Sequence, residues 1–155
     1  MRIFVSICLL SIILMAQELT LSTPLQSLNN YVYETPQEKP VFLPTTTELV
    51  IVAFEKDTGA LANEFFDTQS KTLLEAYDAV FIADIHNMPS IITSLFALPK
   101  LKKYKHPIYL HYDEEFENFI PHQEEKLTIL RFKDAKVSSI SYVSTAKELK
   151  AEILK

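Results

Sequence analysis

From Glu48 onward, the apolar positions fall into a readable series of elements. "LVIVAF" (49–54) and "AVFIADI" (79–85) are continuous apolar, β-branched runs, the pattern of strands buried on both faces. Between them, "GALANEFFDTQSKTLLEAY" is helical in composition, with a break expected around Asp67–Ser70. Two buried strands joined by a helix make a βαβ unit, whose crossover is right-handed in nearly all cases. Pro89 suits the first turn of a helix that Ser90 to Ala97 continue, and Pro99 must kink that helix or start a second. "PIYLHYD" (107–113) alternates as a strand does. It places Tyr109 and His111 on one face, and the expectation is a His111 at the surface or at an edge. "EEFENFIPHQEE" is a charged connection with room for one helical turn. "KLTILRF" and "KVSSISYVS" flank the turn Lys133-Asp134-Ala135-Lys136, which predicts a hairpin. Thr145 and Glu148 form a capping box for a last helix that buries Leu149 and Ile153.

The first 47 residues follow other rules. Arg2 precedes the apolar run "IFVSICLLSIILM", and Ala16 supplies a small residue where a signal peptidase would cut. The run is shorter than the roughly 20 residues a spanning helix needs, so residues 1–16 read as a signal peptide. Four of the eight prolines (Pro24, Pro36, Pro40 and Pro44) then fall within twenty-one positions. That predicts an exposed leader or short edge strands over 17–47, "PVFLPTTT" among them, and no helix. The main domain is expected over 48–155.

Composition narrows the function. At 155 residues, with 48% apolar and 23% charged, the chain can bury a core of its own. The net charge of −5 argues against nucleic-acid binding and against an electrostatic grip on anionic membranes. The one cysteine, Cys8, lies inside the apolar leader, so cleavage near Ala16 leaves a mature chain without a thiol. Thiol redox chemistry, disulfide staples and cysteine-bound metal go together with it. One glycine cannot build a dinucleotide-binding turn or a P-loop, and no G-x-S-x-G elbow is present.

Candidate chemistry concentrates where the parallel strands end, at "EKDTG" (55–59) and "DIHNMP" (84–89), because ligands of open α/β sheets gather there. Asp57, Thr58 and Gly59 offer an anion- or backbone-binding corner at a helix N-terminus. The plainer reading is a helix cap, with Asp57 or Thr58 accepting an amide and Gly59 permitting a tight bend. Asp84, His86 and Met88 offer acid/base groups or metal ligands, His86 and Met88 being the metal candidates. The plainer reading there is a loop whose polar groups cap the following helix. His106, His111 and His122 match no compact zinc spacing. The basic run "KLKKYK" (100–105) and the acidic run "DEEFENF" (113–119) read as solvated faces or as mutually neutralising.

The element order, and the tail "LTILRFKDAKVSSISYVSTAKELKAEIL" above all, resembles the thioredoxin-like superfamily. The extra strand "HPIYLHYDE" before the hairpin is similar to the peroxiredoxin-like branch. The resemblance covers roughly residues 41–155. It implies an α/β fold in which a βαβ half meets a ββα half around a central mixed sheet flanked by helices. The chemistry of those proteins is not carried with it: their thiol corner reads Asp57-Thr58-Gly59 here, and their cis-proline position reads Glu125-Lys126-Leu127. Of the arginine that steadies a peroxiredoxin thiolate, only Lys126 is a near match. The expectation is an exported, periplasmic thioredoxin-like domain without thiol oxidoreductase or peroxidase activity and without a cofactor. It would bind another exported protein, with no nucleic acid and no membrane beyond the signal peptide. Metal handling and a cysteine-independent enzyme at the strand-end corner are the alternatives.

Overall fold

The structure, a computed structural model, describes residues 17–155. The expected signal peptide, its cleavage at Ala16 and Cys8 lie outside the described residues. The described chain forms a seven-stranded mixed sheet in the order β2-β1-β5-β4-β3-β6-β7. Its strands are β1 (Tyr33–Glu34), β2 (Pro40–Val41), β3 (Leu49–Ala53), β4 (Ala79–Asp84), β5 (Tyr109–His111), β6 (Leu127–Lys133) and β7 (Lys136–Val143). β3, β4 and β5 run parallel, and β6 pairs antiparallel with both β3 and β7. The βαβ and ββα halves therefore meet along β3 and β6.

β3 is buried at all five positions, as its unbroken apolar run requires. Its side chains alternate between two cores. Leu49, Ile51 and Ala53 pack with α1 (Lys56–Asp67) and α6 (Ala146–Ile153), while Val50 and Val52 pack on the opposite face. That second face is covered by α5 (Glu114–Phe119) and by the N-terminal segment, through Leu19, Leu25, Leu28, Tyr33 and Leu43. The proline-rich segment is thus no exposed leader: its apolar residues cap half of the core. It also contains a 3-10 helix, Leu25–Asn30, against the expectation of none. Pro24 sits before that helix in extended conformation and Pro36 lies beyond it, so neither interrupts it.

Two other expectations change. β5 is an inner strand, because β1 pairs along its far side, and His111 is accordingly buried at 1% exposure rather than lying at an edge. The first helix takes its cap in part from Thr58, whose hydroxyl accepts the Glu55 amide in a capping box, and not from Asp57. Its N-cap is Glu55, and Gly59 already lies inside the helix, donating its amide to the Glu55 carbonyl at 2.9 Å. α1 ends at Asp67, where the break was expected, and is followed by a short helix, α2 (Leu73–Ala76). The hairpin turn places Asp134 and Ala135 at φ 51° and 57°, the left-handed pair that suits a two-residue turn. α6 carries its capping box as read: Thr145 Oγ1 accepts the Glu148 amide at 3.2 Å and Glu148 Oε2 accepts the Thr145 amide at 3.1 Å.

Helical segments α3 (Ser90–Ile92) and α4 (Leu98–Leu101) are joined by a π turn, Thr93–Ala97. Pro99, which cannot donate an amide, falls in the first turn of α4, so the helix is remade there rather than ended. Among the described residues no helix is long and apolar enough to cross a membrane.

Gly59 gives a direct test of the corner. Its φ is not positive, and a Cβ added there would meet only the Ala53 Cβ, at 4.0 Å. Gly59→Ala should therefore stabilise the domain by about 0.4–1 kcal/mol, chiefly by restricting the unfolded chain. Denaturant melts of the two proteins check this; a loss of stability would show that the position is special after all.

Candidate functional site

The β3–α1 corner is closed by its own groups. The Thr58 hydroxyl accepts the Glu55 amide at 3.3 Å and donates to the Glu55 carbonyl at 3.0 Å. The Glu55 carboxylate reaches across to accept the amide of Glu125 at 2.9 Å. Glu125 has a left-handed backbone, φ 59°, and stands just ahead of β6. Asp57 is exposed and lines a groove of about 500 Å³ with Leu61, Glu64, Phe65 and Ala146, on the α6 side of the sheet. No hydrogen bond or ion pair links Asp57, Thr58 or Gly59 with Asp84 or His86.

Asp84 and His86 do come together. β4 ends with Asp84, whose side chain is fully buried; its Oδ1 accepts the His86 backbone amide at 3.0 Å and lies 2.9 Å from His86 Nδ1. An Asx-type turn thus holds the imidazole against the strand end. His86 Nε2 faces Glu117 Oε2 at 3.2 Å, and Glu117 Oε1 faces His122 Nε2 at 3.6 Å. The result is a line of four alternating groups, Asp84, His86, Glu117 and His122, running from the core to the surface. The His86 side chain is 10% exposed and that of His122 38%, so only the outer end is open to solvent. Nδ1 donates to the Asp84 carboxylate, which leaves Nε2 turned toward Glu117.

A second histidine borders this line. His111 is the register partner of Asp84 across parallel β4 and β5. Both lie two residues beyond a pair, Ile82 and Tyr109, that packs into the second core, so both side chains face that core. His111 Nδ1 lies 2.9 Å from the Val32 carbonyl and Nε2 3.1 Å from the Asp113 carbonyl. The two carbonyls hold the ring from both edges. The rings of Tyr31, Tyr33 and Phe116 enclose it. Asp84 Oδ2 has no hydrogen-bond partner. Burial, with Tyr31 and Asp84 adding to it, pushes the Tyr33 phenol far above the usual tyrosine range.

Met88 takes no part in this cluster beyond closing the turn, its amide donating to the Ile85 carbonyl at 2.9 Å. Among the described residues no group of three or more His, Cys, Asp or Glu is arranged to hold a metal ion. The nearest approach is His86 with Glu117 and His122, and there the carboxylate lies between the two rings. His106 is isolated from these groups. It is buried among Phe66, Phe81 and Tyr104, with Nε2 donating to Asn63 Oδ1 at 2.9 Å and Nδ1 unpartnered. The basic run forms no ion pair with the acidic run; Lys100, Lys102, Lys103 and Lys105 are all exposed.

No protein-family model matches the chain, and no curated protein matches it in sequence. Solved structures do. Peroxiredoxin Q from Xanthomonas campestris is 14% identical, with 88% of this chain and 94% of that one covered, at a TM-score of 0.54. Peroxidoxin BcpB from Mycobacterium tuberculosis is 11% identical, with 89% and 94% covered, at 0.52. A SCO1/SenC family lipoprotein from Bacillus anthracis is 9% identical, with 90% and 95% covered, at 0.50. The fold is thioredoxin-like. At these identities the likeness carries the fold alone.

In this thioredoxin-like domain the described residues contain no cysteine. The loop after β3 and the loop before β6 meet through the Glu55 carboxylate and the Glu125 amide. Lys126, the near match to the peroxiredoxin arginine, donates instead to Gln123 Oε1 at 3.0 Å. Glu117 and His122 were missed from sequence, where Glu117 is one of several acids in a solvated run. The available signal was Phe116, whose burial fixes the face of the helical turn and turns its neighbour Glu117 toward the strand ends.

Two measurements follow from these contacts. Asp84→Ala strips the buried His86 amide and ring of their acceptor and should cost about 1–3 kcal/mol; Glu117→Ala removes a part-exposed partner and should cost less than about 1 kcal/mol. Equal losses in urea denaturation would show that the inner and outer halves of the line matter alike. For His106, burial lowers the imidazole below its ordinary 6.5, with Asp67 pulling the other way. The unfolded chain then takes up this proton before the folded one, so the contribution is fully present above pH 6.5 and is lost as pH falls toward the depressed folded value. His106→Gln should flatten that acid limb of stability against pH; an unchanged slope would place the proton elsewhere.

Proposed function

We propose that the chain is an exported thioredoxin-like domain without thiol redox activity that binds another exported protein. The observation that carries this reading is a thioredoxin-like fold with no cysteine anywhere in residues 17–155 and with its reactive corner tied shut by Glu55, Thr58 and Glu125. A corner closed in this way cannot exchange disulfides or reduce a peroxide, since both need a thiolate. Export is supported by the apolar run 3–15 with Arg2 before it and Ala16 after it. A similar structure is that of a lipoprotein, which fits an extracytoplasmic setting. The binding role rests on the scaffold that remains, a sheet whose strand-end loops are held by the Asp84–His86 and Glu55–Glu125 contacts.

The test is expression of the full chain with a C-terminal tag in a bacterial host. The tagged protein should be recovered outside the cytoplasm with Gln17 at its N-terminus by mass spectrometry, be inactive in disulfide-reduction and peroxide-consumption assays, and retain a specific protein after cross-linking. An intact Met1 terminus in the cytoplasm would end the export reading; retention of no protein would end the binding reading.

A further inference from the structure

The segment Ser90–Leu101 has two faces of opposite character. Thr93 and Leu98 are buried, and Leu98 packs into the first core, which fixes the helix to the domain. Ile91, Ile92, Leu95 and Phe96 are 69%, 43%, 65% and 64% exposed. They form two pairs at i,i+4, so they occupy one continuous stripe on the solvent side. Four large apolar side chains adjoining on one short helix are not the scattered exposure that every surface shows.

The charge around this stripe is equally one-sided. No aspartate or glutamate occurs between Asp84 and Asp113, although the chain has 20 acidic residues. Lys100, Lys102, Lys103 and Lys105 follow the stripe directly, all exposed and none in an ion pair among the described residues. The net charge of −5, which reads against an electrostatic grip on anionic membranes, belongs to the whole molecule; between Asp84 and Asp113 the chain itself carries only positive charge, with Asp67 of α1 the acid that acts on His106.

We infer that this helix docks on an anionic lipid surface, with Ile91, Ile92, Leu95 and Phe96 entering the acyl boundary and the four lysines meeting the headgroups. A helix lying in the interface plane needs this combination, an apolar stripe beside lysines whose stems can follow the apolar surface while their ammonium groups reach the phosphates. The composition disfavours a protein partner here, because lysine is depleted from protein interfaces. A second copy would set the same four lysines against each other. The acidic excess of the rest of the chain favours contact through this side. This surface is separate from the proposed protein-binding role, and neither depends on the other.

The chain has no tryptophan, so Phe96→Trp creates a single reporter on the stripe. With vesicles containing phosphatidylglycerol, its emission should shift to the blue and be quenched by brominated acyl chains. With phosphatidylcholine alone the partition should be at least about tenfold weaker. Lys100, Lys102, Lys103 and Lys105 changed together to Gln, in the same Phe96→Trp background, should weaken the anionic partition by a similar factor. Phe42→Trp, an exposed position next to β2, serves as the control and should show neither shift nor quenching. A reporter at position 96 that anionic vesicles leave unshifted and unquenched would overturn the inference, as would quenching that ignores both headgroup charge and the lysine changes.

Discussion

The structure depends on β3 being buried on both faces. Five consecutive apolar residues with no polar position leave no side of the strand that can face water, so the sheet has to be covered twice. α1 and α6 cover one side in the ordinary way, with Ala62, Phe66, Leu149 and Ile153. No long helix is available for the other, and the task falls to α5 and to residues 19–43. That is why a proline-rich segment with little regular structure is nevertheless held firmly: Leu25 donates its amide to the Ala135 carbonyl, Ser22 to Val137, and Val137 in turn to Thr23.

The same cover completes the polar cluster. The Val32 carbonyl that meets His111 Nδ1 belongs to the N-terminal segment, and the Phe116 ring against His111 belongs to α5. Glu117, beside Phe116, closes over His86. One layer of the fold therefore buries the apolar face of β4 and β5 and also supplies the partners for the polar groups at their ends. At the β3–α1 corner the Glu55 amide is answered by Thr58 and the Glu125 amide by Glu55.

The strands, the hairpin and the last helix were legible because each is governed by local pattern: an unbroken apolar run, a charged four-residue turn, a Thr145–Glu148 box. The pairing of Asp84 with His86 was legible as proximity, two residues apart at a strand end. What the sequence hid has a common cause, contact between distant segments. Alternation correctly put His111 and Tyr109 on one face but could not tell that β1 would close the far side of β5. The cap at Glu55 was hidden because its carboxylate answers an amide seventy residues away. The exposed stripe at Ile91–Phe96 was masked for the opposite reason. Apolar residues on a helix read as core, and only the placement of Thr93 and Leu98 shows that the core lies on the other side.

Asp84 then sets the geometry just beyond the end of β4. A buried carboxylate is costly to desolvate, and its hydrogen bonds only offset that cost. Its effect is positional. Asp84 Oδ1 holds both the amide and the ring of His86, the turn closes through the Met88 amide, and Pro89 begins the helix immediately afterwards. Three residues separate the pinned ring from that helix. Leu98, packed into the first core, then decides which side of Ser90–Leu101 meets the core and which side is left to solvent.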